Sequence, residues 1–249
     1  MLKRIFDLLI SAIGLISLCP ILIIFCLLIF LQDFKSPFYF GKRVGINYKV
    51  FYMLKLRSMK VGSDKSGVDS TSEDDERITK IGTIVRRFKI DELFQLWNVL
   101  KGDMSIVGPR PNVESDVVLY TKDETAILAV LPGITDLSSI VFSDEGKILK
   151  GSKNPDLRYN QLIRPWKSRL AIFYIENSSF VMDINIILLT AIGLFKKDYS
   201  LSKIYKILKE KNVDLNLLNV VLRKNTLRPF PPPGANKIVK FKEYYKKLD

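Results

Sequence analysis

The feature that most constrains this chain is an uncharged apolar run near its N-terminus. The run extends from Leu8 to Leu31, 24 residues rich in Ile, Leu and Phe without one charged side chain. As a helix it would measure about 36 Å, which is enough to cross the hydrocarbon core of a bilayer. The run is too long for the core of a signal peptide, and no small-residue cleavage site follows it. We therefore expect a retained, membrane-embedded segment within residues 1–36.

Pro20 lies at the midpoint of this run and leaves two topologies open. A proline inside a helix removes a backbone hydrogen bond and kinks the helix, so each arm would be about 18 Å long. Basic residues flank both ends of the run, namely Lys3 and Arg4 before it and Lys35, Lys42 and Arg43 after it. The positive-inside rule then places both ends in the cytoplasm and predicts a re-entrant hairpin. An ordinary kinked transmembrane helix is the alternative, and the residues alone slightly favour it.

The composition excludes several classes of catalytic site. The 249-residue chain has no histidine, which removes histidine general bases and imidazole metal ligands. Its two cysteines, Cys19 and Cys26, lie inside the apolar run, so neither a zinc site nor a disulfide framework is expected. Any chemistry therefore depends on carboxylates, basic side chains, hydroxyls and a hard metal ion.

The positive charge is concentrated near the C-terminus. The chain carries 39 Lys and Arg against 26 Asp and Glu, a formal charge of +13, and residues 201–249 hold 12 of the cations and 4 of the acids. Residues 1–200 therefore carry only +5 of the +13. A basic chain predicts polyanionic partners such as anionic lipid or phosphorylated small molecules. A nucleic-acid partner is not expected, because it would require a basic face on the folded core.

The rest of the chain predicts an α-rich α/β protein in three parts. These are the membrane segment 1–36, a compact domain 37–200 and a basic C-terminal extension 201–249. Val50–Leu56 has the composition of a strand, and Ile81–Leu100 has a helical pattern that ends before Gly102. Phe180–Phe195 is apolar but only 16 residues long, which predicts an interfacial or core helix rather than a second span.

A carboxylate pair, Asp91-Glu92, is the densest candidate for chemistry, and it follows the basic residues Arg86, Arg87 and Lys89. Adjacent residues of a helix diverge by about 100°, so the two carboxylates would take separate roles. One could attack as a nucleophile, since an ionised Asp needs no general base, and the other could hold a hard cation such as Mg²⁺. Plain surface charges on an amphipathic helix are the alternative, which the pattern alone favours.

Two further basic clusters are candidates for phosphate binding. Lys55 and Arg57 alternate onto one face of the predicted strand, where they could clamp a pyrophosphate. Arg110 lies between Pro109 and Pro111, which fix the backbone and leave the guanidinium little entropy to lose. The alternatives are solvated strand-edge cations for the first cluster and a rigid loop with an incidental arginine for the second.

Six motifs occur in order along the chain. They are Lys3-Arg4-x-Phe6-Asp7, Phe38-Tyr39-Phe40 with Arg43-Val44-Gly45, Lys55-x-Arg57-Ser58-Met59, the segment from Asp91-Glu92-Leu93 to Ser105, Gly108-Pro109-Arg110-Pro111 and Pro132-Gly133-Ile134-Thr135. Together they resemble the bacterial sugar transferase family, the monotopic polyprenol-phosphate phosphoglycosyl transferases. The resemblance covers about residues 1–197, and the tail from about residue 200 has no recognised counterpart.

The resemblance implies an enzyme of the bacterial inner (cytoplasmic) membrane, with its catalytic domain on the cytoplasmic face against the anionic leaflet. Such an enzyme moves a phosphosugar from a UDP-sugar onto polyprenol (undecaprenyl) phosphate with Mg²⁺, releases UMP and starts a surface glycan such as capsule, exopolysaccharide, O-antigen or glycoprotein. Asp91 would attack the β-phosphate and form a covalent intermediate, and Glu92 would hold the metal. The residues expected to bind substrate are Lys55, Arg57, Arg86 and Arg110.

The resemblance also favours the re-entrant hairpin, with the membrane helix broken at Pro20. In the family a serine precedes this proline, whereas here the residue is Cys19. The other departures are Gly41 in place of a glutamine, Phe94 in place of a proline, and Asp136 after Pro-Gly-Ile-Thr. A non-enzymatic membrane adaptor, whose basic tail binds anionic lipid or a partner protein, is the alternative function. The sugar, the glycan pathway and the oligomeric state stay open.

Overall fold

The computed structural model describes residues 2–240 and has a helix-rich α/β architecture, which confirms the predicted fold class. The helices are α1 (Leu2–Asp33), α2 (Lys80–Arg87), α3 (Gln95–Lys101), α4 (Glu114–Val117), α5 (Leu137–Val141), α6 (Glu145–Leu149), α7 (Pro155–Leu162), α8 (Arg164–Glu176), α9 (Phe180–Gly193), α10 (Lys197–Glu210) and α11 (Leu215–Val221). The strands are β1 (Phe38–Val44), β2 (Val50–Leu56), β3 (Ser105–Val107) and β4 (Gly133–Thr135).

The strands form two small sheets that flank the carboxylate pair along the chain. Strands β1 and β2 pair antiparallel in a register that joins Phe38 to Leu56 and Val44 to Val50, so the predicted strand Val50–Leu56 is confirmed. Strands β3 and β4 pair parallel, with Ser105 opposite Gly133. A Cβ on Gly133 would come within 2.1 Å of the Gly108 backbone nitrogen, so only glycine permits this close approach of the two chains.

Helix α1 packs on the rest of the protein along one stripe and exposes the other side. Its buried residues are Asp7, Ser11, Leu22 and Ile29, whose spacing places them on one helical face. The exposed side is apolar along its whole length, and α1 is long and apolar enough to cross a membrane by length and composition. Pro20 lies within the helix, which is assigned as continuous from Leu2 to Asp33. The hairpin with two separate arms is therefore not confirmed and stays a prediction.

The two ends of α1 are both bonded to the domain that follows it. Near the start, the Lys3 ammonium donates to the Asp183 carboxylate of α9 over 2.6 Å and to the Val107 carbonyl of β3 over 3.0 Å. At the other end, Asp33 forms an ion pair with Arg57, just beyond β2. A single rigid domain therefore holds both ends of the apolar helix.

The main hydrophobic core lies between α5, α8, α9 and α10. Helix α9 contributes Ile186 and Leu189 to this core and exposes Val181 and Leu188 on its other side, so it is a core helix in part, and its predicted contact with a membrane interface is not confirmed. Its contact with α1 includes an edge-to-face pair of aromatic rings.

Helix α10 crosses residue 200, where the C-terminal extension was expected to begin. Leu201, Ile204 and Leu208 are buried against Ile140 and Val141 of α5, in the same core as the preceding domain. The first part of the extension thus shares the hydrophobic core of the domain. Residues 241–249 of the predicted extension lie outside the described residues.

Candidate active site

The carboxylate pair lies in a short turn between two helices. The prediction of one helix over Ile81–Leu100 is wrong, because α2 ends at Arg87, a 3₁₀ turn spans Ile90–Glu92 and α3 begins at Gln95. Lys89 has φ +54°, a left-handed conformation that stops α2 and that a non-glycine residue adopts only at a cost in free energy. The break places Asp91 and Glu92 at the wall of a cavity rather than on a solvated helix face.

The cavity has a volume of about 1340 Å³. Its wall is formed by β2, the turn that carries the carboxylate pair, the Gly108–Pro111 segment and the region from Asp136 to Lys147. The Gly108–Pro111 segment is fixed by its neighbour β4, since the Gly108 amide donates to the Thr135 carbonyl over 3.1 Å and the Gly133 amide donates to the Pro109 carbonyl over 2.9 Å. These bonds hold the backbone just before Arg110 against β4.

Glu92 is held by two of the basic residues that the sequence singled out. The Arg110 guanidinium bonds both carboxylate oxygens, one of them over 3.3 Å to Oε2, and the Lys55 ammonium lies 3.5 Å from Oε1. Burial alone would raise the pKa of Glu92, but the charges of Arg110 and Lys55 outweigh burial and lower the pKa well below its usual range. Glu92 is therefore ionised and fixed in orientation.

Asp91 lies beside this pair and has a different environment. Its side chain is only 8% exposed, and within residues 2–240 it forms neither a hydrogen bond nor an ion pair. Burial raises the pKa of Asp91, Lys55 and Arg86 act against that rise, and Glu92 adds to it. A buried carboxylate without a hydrogen-bond partner is rare in folded proteins and is a candidate for a functional group.

Lys55 is the charged group that joins the two carboxylates electrostatically. Burial lowers the pKa of Lys55 to about 8, the charge of Glu92 opposes this shift, and the nearby Arg110 adds to it. An ammonium with a lowered pKa between two carboxylates is typical of a compact active site.

Arg57 follows β2 and makes contacts different from those of Lys55. Its guanidinium bonds both carboxylate oxygens of Asp33 and the backbone carbonyls of Ile29 and Lys35, at the end of α1. The residue borders the cavity, its Nη atoms bond the end of α1 and Lys35 just beyond it, and its Nε has no partner within residues 2–240. The clamp of Lys55 and Arg57 stays a prediction.

Arg86 lies in the last turn of α2 and lines the cavity, where its charge acts on Asp91. The structure therefore brings four of the predicted site residues together in one place, and these are Lys55, Arg86, Glu92 and Arg110 around Asp91.

Two cations of the same cavity were not predicted as site residues. Arg43 of β1 and Lys89 before the 3₁₀ turn both line the cavity, and the charge of Arg110 lowers the pKa of each after burial, which is the larger cause. In the sequence, Arg43 was part of a motif and one of the basic residues that flank the apolar run, and Lys89 was one of several basic residues before Asp91. Strand alternation from Tyr39 through Gly41 to Arg43 is the signal that could have identified Arg43.

The two carboxylates are also candidate ligands for a metal ion. Asp91 and Glu92 offer hard oxygen ligands of the type that Mg²⁺ prefers, and Mg²⁺ is commonly bound by one or two carboxylates with substrate phosphates. No group of three potential ligands among His, Cys, Asp and Glu occurs within residues 2–240. The donor set therefore fits a metal that is completed by substrate, and does not fit one held by protein alone.

Comparison with known proteins identifies similar sequences. Residues 1–197 match the family model described as bacterial sugar transferase. A protein of Bacillus subtilis (strain 168) named "Putative undecaprenyl-phosphate N-acetylgalactosaminyl 1-phosphate transferase" is 46% identical over 110 residues, which are 44% of this chain and 62% of that protein. The chain thus spans less than two thirds of the length of that relative.

Two other relatives are similar over a longer stretch. The "Uncharacterized sugar transferase EpsL" of Bacillus subtilis (strain 168) is 36% identical over 190 residues, 76% of this chain and 85% of that protein. The "UDP-galactose-lipid carrier transferase" of Erwinia amylovora is 31% identical over 212 residues, 79% of this chain and 41% of that protein. The family match over most of the chain and these similarities show that the protein belongs to the bacterial sugar transferase family.

Proposed function

We propose that this protein transfers a phosphosugar from a UDP-sugar to polyprenol (undecaprenyl) phosphate, releases UMP and so starts the synthesis of a surface glycan. The observation that carries the proposal is the buried, unpartnered Asp91 beside a Glu92 that two cations hold in place. The names of the relatives, which specify undecaprenyl phosphate, a UDP-sugar and a lipid carrier, support the same reaction class. Those names differ in the sugar, so the sugar is left open.

In the first step, a carboxylate oxygen of Asp91 attacks the β-phosphorus of the donor. A new P–O bond forms to Asp91, the bond from the β-phosphorus to the bridging oxygen breaks, and UMP leaves with that electron pair. The carboxylate attacks in its ionised form, which the charges of Lys55 and Arg86 favour against burial, so no proton has to move and a protein without histidine can perform this step. Because Asp91 is buried, its carboxylate is poorly solvated, which raises the free energy of the resting state and so lowers the barrier to attack.

In the second step, an oxygen of polyprenol phosphate attacks the phosphorus bound to Asp91. The bond to Asp91 breaks, the carboxylate is regenerated, and the product is a polyprenol diphosphate sugar. The cations around Asp91 stabilise the negative charge that both transition states place on the phosphoryl oxygens. Their number in this cavity is suited to two successive phosphate substrates.

Mg²⁺ is part of the proposal, and Glu92 would hold it together with the phosphates of the donor. The ion would supply positive charge that neutralises the diphosphate and stabilises the departing UMP. Glu92 already accepts bonds from Arg110 and Lys55, so its orientation is set by these two residues before any ion binds.

The proposed location is the cytoplasmic face of the bacterial inner membrane. The attachment of both ends of α1 to one domain supports a helix that enters and leaves the same leaflet, because a spanning helix would separate its ends by the bilayer. Its exposed apolar side would then contact lipid, and the polyprenol phosphate would reach the cavity from that side.

The test is UMP release from a panel of UDP-sugars by purified protein with undecaprenyl phosphate and Mg²⁺. We expect release with at least one donor, complete loss in Asp91→Asn, and no loss in the matched control Asp198→Asn, an exposed residue of α10. Undiminished release by Asp91→Asn would refute the mechanism. A wild-type protein that acts on none of the donors would favour the non-enzymatic adaptor.

A further inference from the structure

Three partly buried basic side chains of the cavity, Arg43, Arg86 and Lys89, form no ion pair within residues 2–240. Lys55 and Arg110, in contrast, bond Glu92, and Arg57 bonds Asp33. Arg86 is already among the residues expected to bind substrate, so Arg43 and Lys89 are the two without an assigned role. A cation that is withdrawn from water without a partner is unfavourable, so its retention in a cavity points to an anionic ligand.

Arg43 owes its position to the glycine two residues before it. Tyr39, Gly41 and Arg43 alternate onto one face of β1, and a Cβ on Gly41 would come within 3.0 Å of Tyr39 and within 3.2 Å of the Arg43 Nη1 atom. The Arg43 guanidinium therefore folds across the space that a larger residue would fill. Its one side-chain bond within the described residues is to the adjacent Lys42 carbonyl, over 2.7 Å, which leaves most of its donors available.

The backbone of Lys89, two residues before the nucleophile Asp91, is strained. Its left-handed conformation, with φ +54°, costs free energy, and such strain is concentrated at functional sites. Its backbone amide bonds the Arg86 carbonyl over 3.1 Å, and its carbonyl accepts from the Glu92 amide over 3.2 Å. Within the described part of the chain, its ammonium has no hydrogen-bond partner. The strained backbone of Lys89 therefore fixes the position of the carboxylate pair and of the Lys89 ammonium.

The charges around Asp91 do not balance. The described residues that line the cavity include 13 basic and nine acidic side chains, which leaves four positive charges in excess. The diphosphate of a nucleotide sugar carries two ionised phosphates and would neutralise part of this excess. A free inorganic diphosphate has the same chemistry, so the test must separate the two.

We propose that Arg43 and Lys89 bind the diphosphate of the donor, while Arg110 and Lys55 position Glu92. The nucleotide part of this assignment rests on the function proposed above, and the diphosphate part rests on the charges and contacts of the cavity alone. Arg43 lies on β1 and Lys89 lies before the turn that carries Asp91, so this clamp differs from the one of Lys55 and Arg57, which stays a prediction.

The experiment is calorimetric titration of the full chain in detergent with UDP and, separately, with inorganic pyrophosphate. We expect Arg43→Met and Lys89→Met each to weaken both ligands about tenfold, as for the loss of a charge-assisted bond. Arg43→Lys and Lys89→Arg should restore most of the affinity. Lys49→Met, at an exposed position outside the cavity, is the matched control and should bind like the wild type.

The outcomes separate the two proposals. Unchanged affinity for both ligands in Arg43→Met and Lys89→Met would overturn the clamp, and so would a wild-type protein that binds neither ligand. Weakened binding of pyrophosphate by the two variants, with no binding of UDP to the wild type, would support the clamp and reject the nucleotide donor. Thermal unfolding of each variant identifies a loss of affinity caused by misfolding, and the second variant then decides.

Discussion

Two glutamate–arginine pairs in this protein have the same chemistry and opposite surroundings. Glu124 and Arg164 are 0% and 1% exposed, and their remaining polar atoms are bonded to Ser168, to Asn160 and to the Thr121 amide. Glu92 and Arg110 lie at the wall of a cavity, next to an unpartnered Asp91 and to cations that lack carboxylate partners. Arg164 borders the same cavity, but its pair is 1% exposed or less, whereas the side chains of Arg110 and Glu92 are 27% and 16% exposed.

A glutamate–arginine pair alone therefore does not identify a functional site. A buried pair whose bonds are all satisfied holds two segments together, here α8 and the Glu124–Ala129 turn. A pair with an excess of charge beside it, facing a cavity, can exchange its partners for substrate groups. Mutations can separate a pair that stabilises the fold from a pair that acts on substrate.

The largest expected effect is on folding, at the enclosed pair. Arg164→Met leaves Glu124 charged and buried without its main partner, so we expect the free energy of unfolding to fall by about 3–5 kcal/mol. Chemical denaturation in detergent would measure the change. A loss below about 1 kcal/mol would show that the enclosed pair does not hold the fold.

The next effect is on catalysis, at the open pair. Arg110→Met should lower kcat by about 10²–10³-fold, since it removes a charge that stabilises the transition state and frees Glu92 to move. The free energy of unfolding should change much less than in Arg164→Met, because Glu92 keeps Lys55 and access to the cavity. A variant that unfolds as Arg164→Met does, at full activity, would erase the distinction between the two pairs.

The smallest effect is expected at the ion pair of Arg57, a predicted site residue, with Asp33 at the end of α1. The hydrogen bond from Arg57 lowers the pKa of Asp33 to about 2. Because the folded pKa lies below the unfolded pKa, this pair stabilises the fold above the ordinary carboxyl pKa, and the contribution is lost as the pH falls toward about 2. Asp33→Asn should therefore be slightly less stable than the wild type at pH 7 and equal to it near pH 2. Acid titration of unfolding would measure this, and a difference that is independent of pH would contradict it.

The sequence located local features and missed those that depend on distant contacts. The strand Val50–Leu56 follows from composition and is confirmed. The break of the helix at Lys89 could not be predicted, because the residue with the left-handed backbone is a lysine and not the glycine that would indicate such a conformation. The partner of Arg57 is Asp33, 24 residues earlier, and no local pattern indicates that pairing.

The C-terminal region shows the same limit. Its basic composition predicted an extension, yet Leu201, Ile204 and Leu208 recur at helical spacing and are buried in the core. Their burial depends on the position of α5, which the sequence does not reveal. The charged residues of this region therefore lie on its surface, and its apolar stripe packs in the core.

The central claim is that Asp91 carries the phosphosugar between the two substrates. Mass spectrometry of peptides from protein incubated with Mg²⁺ and the most active UDP-sugar, without polyprenol phosphate, tests it most directly. The account predicts UMP release and a single phosphosugar adduct on the Asp91 peptide, absent from Asp91→Asn and removed when polyprenol phosphate is added. UMP release that occurs only with polyprenol phosphate present, or an adduct on a residue other than Asp91, would contradict the account.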